Sequence, residues 1–165
     1  MIFIYVSQIK KIVYEYTIEM KYEIDKEDNR LLILRFADRT TMNNALSKIS
    51  QRYEQMEAVA EGYNFPAGFV EKTDEIYNFV KKNKIEYIIG VYSGKSIQHE
   101  RLHAKYYLDT EYKKKIDDEW EEMDAKKREK IMDFLKRLGY CDKVIVDEYQ
   151  AYRYSEKSNF FGIKY

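Results

Sequence analysis

Two short apolar runs constrain the fold of this chain more than any other feature. The first is LLILRF at 31–36, and the second lies within EYIIGVYS at 86–93. Each run has the length of a strand, and charged residues or glycine stand at its ends. The segments after these runs place apolar residues at helical spacing instead. We therefore predict an α+β fold with a small sheet followed by a helical C-terminal half.

Chain length and cysteine usage narrow the class of protein further. A chain of 165 residues has the usual size of one domain, and it can bury a core without metal or disulfide support. We predict a single domain that spans residues 1–165. Cys141 is the only cysteine, which excludes an intramolecular disulfide framework and a cysteine-rich metal cluster. We expect Cys141 to be a small buried apolar residue.

The charge balance argues against two classes of partner. Lys+Arg and Asp+Glu both number 29, so no global field favours nucleic acid or an anionic membrane surface. The first residues, MIFIYVSQIKK, lack the basic start and cleavage site of a secretory signal. No segment approaches the roughly 20 apolar residues of a membrane span. We expect a cytoplasmic protein with neither nucleic acid nor membrane as a partner, and its oligomeric state stays open.

Turn and capping residues predict where the other elements begin and end. Thr40 and Thr41 offer N-cap oxygens to a helix that runs to about Glu61 and ends at Gly62. The segment GYNFPAGF contains two glycines and the only proline, which predicts a loop. Further helices are predicted to begin near Thr73, at Ile97 behind an N-cap at Ser96, at Asp109 or Thr110, near Lys126 and near Asp142. Residues 2–24 mix helical spacing with a later strand, and periodicity does not place the boundary.

The stretch GVYSGKSIQHERLHAKYYLD contains a motif that is similar to a phosphate-binding loop. That loop needs four residues between its first glycine and the Gly-Lys-Ser/Thr triplet. Only three residues separate Gly90 from Gly94, and two of them are bulky. Nucleotide binding through Gly94, Lys95 and Ser96 is therefore the weaker alternative, and a plain turn from strand to helix explains the triplet.

The same stretch contains HExxH, formed by His99, Glu100 and His103. Residues four apart lie on the same face of a helix, so both imidazoles can reach one zinc ion. Glu100 lies beside them and can accept a proton from zinc-bound water, which generates the hydroxide that attacks a carbonyl. The chain has two histidines in all, so a chance placement at this spacing would be rare. The alternative is an ordinary pair of histidines on a helix.

Two imidazoles do not complete a catalytic zinc site, and a third histidine is absent. We therefore expect the third ligand to be a carboxylate on a later helix. Glu148 in VIVDEYQAY is the candidate, because a carboxylate among apolar and aromatic residues is costly unless it is paired or binds a metal. Its rivals are Glu119, Glu121 and Glu122. They stand among many other charges, which a solvated surface explains, whereas Glu148 could also be an ion-paired residue of an amphipathic helix.

HERLHA followed by a glutamate on a later helix resembles the gluzincin branch of the zincin metallopeptidases, over about a tenth of the chain. The resemblance implies a zincin-like fold, a Zn²⁺ cofactor, a peptide or protein substrate, and Glu148 as the third ligand. It also implies that Tyr152 stabilises the oxyanion and that the strand in EYIIGVY is an edge strand which a peptide could extend. Asp147 is expected to orient a ligand histidine. The alternative function is a non-catalytic interaction or regulatory protein with this fold.

Overall fold

The computed structural model describes residues 20–54, 61–94 and 96–162. The strands are β1 (Met20–Ile24), β2 (Leu31–Phe36), β3 (Gly62–Pro66) and β4 (Tyr87–Val91). The helices are α1 (Arg39–Glu54), α2 (Tyr77–Asn83), α3 (Ile97–Leu108), α4 (Thr110–Glu122), α5 (Ala125–Arg137) and α6 (Ile145–Ser155). The predicted α+β class, with a small sheet and a helical C-terminal half, is confirmed. The prediction for residues 2–24 falls mostly outside the described residues.

The four strands form one mixed sheet in the order β1-β2-β4-β3. Strands β2 and β4 are parallel, whereas β1 and β3 each run antiparallel to their neighbour. The central position of β2 and β4 explains their continuous apolar sequences, since both faces of each strand are covered. The predicted edge strand before the HExxH helix is therefore wrong. That strand is β4, which lies inside the sheet, and β3 is the edge strand beside it.

Helices cover the central strands from both faces. On one face, Leu34 packs in a core with Leu46 of α1, and on the other face Ile33 packs in a core with Ala104 of α3. A Cβ atom at position 90 would lie 2.1 Å from Leu46 Cδ1, so glycine allows α1 to approach β4 closely. Because α3 rests on the opposite face, its HExxH residues are fixed relative to the sheet.

The segment GYNFPAGF was predicted to be a loop, and this prediction is wrong. Gly62 begins β3 rather than ending α1, and a 3-10 helix at Ala67–Phe69 follows the strand. Residues 55–60, where the end of the predicted helix falls, lie outside the described residues. Glycine and proline are tolerated in β3 because it is an edge strand, and Pro66 is its last residue.

Two predicted helix caps are also corrected. Asp38, rather than Thr40 or Thr41, caps α1, because its Oδ1 accepts from the Thr41 amide at 2.8 Å. Ser96 stands at the N-cap position of α3 without a side-chain capping bond. Its hydroxyl instead donates to the Glu61 carbonyl oxygen at 3.1 Å, which ties the start of α3 to the start of β3. A side chain that can cap a helix takes the acceptor or donor that the tertiary fold brings nearest.

The last three helices enclose a core of their own. Helix α4 begins at Thr110, one of the two predicted starts, and Asp109 caps it, because its side chain accepts from the Tyr112 amide at 2.9 Å. The buried members of this core are Trp120, Ile131, Leu135, Ile145, Tyr149 and Phe161.

Cys141 is exposed between α5 and α6, so the expectation of a buried cysteine is wrong. Among the described helices, none has both the length and the apolar character required to cross a bilayer.

Candidate metal centre

Helix α3 brings the two histidines of HExxH together on one face. The Nε2 atoms of His99 and His103 lie 3.2 Å apart, and the two rings meet edge to face. His103 is buried, with 2% of its surface exposed, whereas 17% of the His99 side chain is exposed. The pair therefore presents two ring nitrogens to one point at the edge of the interior.

Helix α6 packs against α3 and carries Glu148 to the same point. Glu148 Oε2 lies 3.8 Å from His99 Nε2, and Glu148 Oε1 lies 3.7 Å from His103 Nε2. We call His99, His103 and Glu148 the His–His–Glu cluster, and one potential ligand atom from each lies within 4.8 Å of the others. Every residue predicted as a metal ligand is thus in the cluster.

The rival glutamates lie elsewhere. Glu119 accepts from the hydroxyl of Tyr149 at 2.8 Å. Glu121 forms an ion pair with Arg128 at 3.0 Å, and Glu122 is exposed. These partners account for the charges of α4 as surface and inter-helix contacts.

The spacing within the His–His–Glu cluster fits a tetrahedral ion. Bonds of about 2.0–2.1 Å to nitrogen and oxygen imply ligand atoms about 3.3 Å apart around zinc. The two Nε2 atoms are 3.2 Å apart, and each lies 3.7–3.8 Å from a different oxygen of Glu148. With one ligand atom from each residue, all three atoms lie within 4.8 Å of one another, so a small rotation of the carboxylate would bring one oxygen to the spacing expected around zinc. Two imidazoles and one carboxylate are also a donor set that catalytic zinc sites use. The residues present therefore fit the ion that the HExxH motif implies.

Helix α6 also holds the far side of both imidazole rings. Asp147 Oδ1 lies 2.8 Å from His103 Nδ1, and Ser155 Oγ lies 3.1 Å from His99 Nδ1. The contact to His103 Nδ1 has an ion-pair distance without hydrogen-bond geometry, whereas the contact to His99 Nδ1 is a hydrogen bond. Both contacts lie on the Nδ1 side of the rings, so each Nε2 is left for the cluster. Asp147 therefore lies beside a ligand histidine, and its orienting role stays a prediction.

Burial and neighbouring charges shift the pKa values of the two histidines in opposite directions. Burial, together with the charge of His103, lowers the pKa of His99 to about 3. Burial alone would lower the pKa of His103, but the carboxylates of Asp147 and Glu148 raise it to about 10. Burial thus favours the neutral form of His99, whereas the neighbouring carboxylates favour the charged form of His103.

Glu100 lies on the side of α3 that faces the sheet. Its Oε2 accepts from Asn64 Nδ2 at 2.8 Å, and Asn64 Oδ1 accepts from the Tyr87 hydroxyl at 2.6 Å. A Cβ atom at Gly62 would lie 2.5 Å from Glu100 Oε1, so β3 forms the wall against which this carboxyl group rests. Burial raises the pKa of Glu100, which is the direction expected of a general base that works near neutral pH.

Tyr152 lies beside the His–His–Glu cluster. Its ring centroid is 4.6 Å from that of His99, and it stacks on Phe160 at 4.5 Å. Its hydroxyl lies 2.9 Å from the hydroxyl of Tyr140. Burial, followed by the charge of Glu148 and by Tyr152, raises the pKa of Tyr140, so its hydroxyl keeps its proton. Two tyrosine hydroxyls therefore meet next to the third ligand.

Sequence reasoning missed Asn64, Tyr140 and Ser155. Asn64 lies in the segment that was predicted to be a loop, so nothing aligned it with Glu100. Tyr140 is one of 17 tyrosines, and its position before α6 carries no local signal. Ser155 is on the same helix as Glu148, and a serine two turns beyond the ligand was the one signal available.

The Gly-Lys-Ser triplet is only partly described, because Lys95 lies outside the described residues. Gly94 is exposed, and Ser96 contacts the Glu61 backbone.

Comparison of the chain with protein-family models, with curated proteins and with solved structures finds no match. Function is therefore inferred from the geometry of the described residues.

Proposed function

We propose that this protein is a zinc-dependent hydrolase of the gluzincin type that cleaves peptides or proteins. The observation that supports the proposal most strongly is the convergence of His99, His103 and Glu148 from two helices. These three residues would hold Zn²⁺. We retain a cytoplasmic location without nucleic-acid or membrane partners as part of the proposal, on the grounds of balanced charge and a single cysteine.

Each remaining residue has a defined role in this mechanism. Zinc, when bound, supplies a Lewis acid that polarises a carbonyl and lowers the pKa of water. Glu100 takes the proton from the attacking water and passes it to the leaving nitrogen. Asn64 holds Glu100 Oε2, and Oε1, which rests beside Gly62 of β3, would be the oxygen that takes that proton.

The tyrosine pair and the edge strand define how a substrate would be held. The hydroxyl of Tyr152, supported by Tyr140, would donate to the oxyanion that forms at the scissile carbonyl. An extended peptide would pair with β3 rather than with β4, since β3 is the edge strand and lies beside α3. This arrangement also brings the peptide close to Glu100, which rests against β3.

Metal analysis combined with three variants tests the proposal. The wild-type protein should bind one equivalent of zinc, and His103→Ala and Glu148→Ala should lose it. Glu100→Gln should keep the zinc but lose hydrolysis of an unfolded protein probe such as denatured casein. A wild-type protein that binds no zinc would overturn the proposal.

The same measurements separate the alternative functions. A non-catalytic interaction protein would show no difference between wild type and Glu100→Gln in the hydrolysis assay. Nucleotide binding through the Gly-Lys-Ser triplet would be lost in Lys95→Ala and would not respond to a chelator. Zinc retention together with loss of hydrolysis in Glu100→Gln is expected only for the hydrolase.

A further inference from the structure

A chain of side-chain contacts runs from α4 through α6 to the buried ligand histidine. The Tyr112 hydroxyl donates to Gln150 Oε1 at 3.0 Å, and Gln150 Nε2 donates to Asp147 Oδ1 at 2.9 Å. The same Asp147 oxygen lies 2.8 Å from His103 Nδ1. Three helices are thus joined to one ring nitrogen of His103.

The donor and acceptor groups allow this series of contacts to run in only one direction. A tyrosine hydroxyl can donate to the amide oxygen of Gln150, and the amide nitrogen must then donate to a carboxylate, which can only accept. Asp147 is left as an acceptor 2.8 Å from His103 Nδ1, and a contact this short is favourable only when that nitrogen carries a hydrogen. His103 Nε2, which faces His99, is then the nitrogen with a lone pair for a metal.

The residues in the middle and at the end of this chain of contacts are buried. Gln150 is fully buried, with 0% of its surface exposed, and His103 is only 2% exposed. A buried amide costs stability unless both its ends are hydrogen bonded, and here both ends are. An apolar side chain would fill the same space at lower cost, so the chemistry of the amide is the reason for glutamine at this position.

We propose that Gln150 and Tyr112 are positioning residues that fix the Asp147 carboxylate and, through it, the metal-binding tautomer of His103. The inference rests on the proposed metal site, and it goes beyond it by assigning a role to α4, which carries no ligand. Substitutions remote from the ion should then weaken metal binding without disturbing the fold.

Gln150→Met and Tyr112→Phe test this inference in the full chain. Methionine has a similar length and is tolerated in cores, and phenylalanine removes only the hydroxyl. Substitutions behind a ligand histidine lower metal affinity by about 10- to 100-fold, so we expect about 10-fold weaker zinc binding for Gln150→Met. Tyr112 is one contact further from the metal site, and we expect about threefold weaker zinc binding for Tyr112→Phe. Competition with a chromogenic chelator measures both.

Tyr154→Phe is the matched control. Tyr154 lies on α6, and its hydroxyl donates to Glu119 Oε2 at 3.1 Å rather than to the His–His–Glu cluster. Its zinc affinity should equal that of wild type. Circular dichroism and the thermal midpoint of the zinc-free proteins show whether each variant folds, so that lost affinity is separated from lost structure.

Nitrogen NMR supplies a readout that a purely structural role would not change. The chain has two histidines, so a histidine-labelled sample gives two imidazole spectra. In the zinc-loaded wild type, His103 should show a protected Nδ1 hydrogen, and this protection should fall in Gln150→Met. Equal zinc affinity and equal protection in wild type and Gln150→Met would overturn the inference alone. Failure of the wild type to bind zinc would overturn both it and the proposed function.

Discussion

Two buried regions of this molecule are built from opposite kinds of side chain. The central strands are buried among aliphatic residues such as Leu34 and Ile89. The interface of α3 and α6 instead buries His103, Glu148 and Gln150. Apolar burial stabilises a fold by roughly 25 cal/mol per Å², whereas buried charges contribute little net stability even when paired. The sheet therefore maintains the fold, and the polar interface is the region where chemistry is expected.

The largest expected effect on stability is in the sheet. Leu34→Ala leaves a cavity among fully buried neighbours, and it should lower the free energy of unfolding by about 2–5 kcal/mol in urea denaturation. Zinc affinity of the folded protein should stay unchanged. Leu138→Ala is the control, because half of Leu138 is exposed and the change should be within about 0.5 kcal/mol. A loss of zinc affinity in Leu34→Ala as large as in Glu148→Ala would contradict the separation of the two regions.

The second prediction concerns the place where the two regions meet. In Gly62→Ala the new Cβ would collide with Glu100 Oε1 at 2.5 Å, so the carboxyl group must move. We expect about 1–3 kcal/mol of destabilisation from overpacking, together with loss of casein hydrolysis while zinc is retained. Gly68→Ala is the matched control, because no atom lies within 4 Å of its added Cβ. Hydrolysis at the wild-type rate in Gly62→Ala would remove Glu100 from the mechanism.

An ion pair away from the cluster, between buried Asp25 and partly exposed Arg101, has a smaller expected effect. Asp25 accepts from Arg101 of α3 and from the backbone amides of Glu27 and Asp28. Burial would raise the pKa of Asp25, but these donors together lower it below 3.8. A lowered carboxyl pKa stabilises the folded state above the unfolded pKa, and this stability is lost as the pH falls through the folded pKa.

Asp25→Asn should therefore cost about 1 kcal/mol at neutral pH, measured by urea denaturation. The difference from wild type should disappear in acid below the folded pKa of Asp25. A difference that stays constant from pH 7 down to that range would show that the charge of Asp25 contributes nothing.

The smallest effect is expected on the solvent face of α4. Lys114 and Asp118 form an ion pair at 2.5 Å, but their side chains are 74% and 56% exposed. Such pairs are screened by water and salt. Lys114→Ala should leave both the thermal midpoint and the zinc affinity unchanged. A measurable fall in either one would show that charge on this surface reaches the buried interface.

Local sequence patterns were sufficient for the parts of the fold that depend on near neighbours. The run LLILRF coincides with β2, and α3 to α6 begin within a few residues of their predicted starts. HExxH places two histidines on one face because helix geometry alone decides that. Glu148 could be singled out because a carboxylate among apolar residues is costly.

Patterns failed where pairing between distant segments decides the outcome. The strand β3 contains glycine and proline, and it forms because β4 offers an open edge, which no local signal reveals. Asn64 reaches Glu100, and Tyr112 reaches Gln150, only after the sheet and the helices have docked. The residues around the ligands were therefore harder to predict than the ligands themselves.

The residues of the His–His–Glu cluster come from α3 and α6, which are separated in the chain by α4 and α5. An ion gripped by both helices would act as a removable cross-link, closing a loop that contains α4 and α5. An ion that binds only the folded form leaves the unfolded chain unconstrained, but it adds stability to the folded form as its concentration rises. If the cluster binds zinc as proposed, the stability of the helical half would then depend on metal supply.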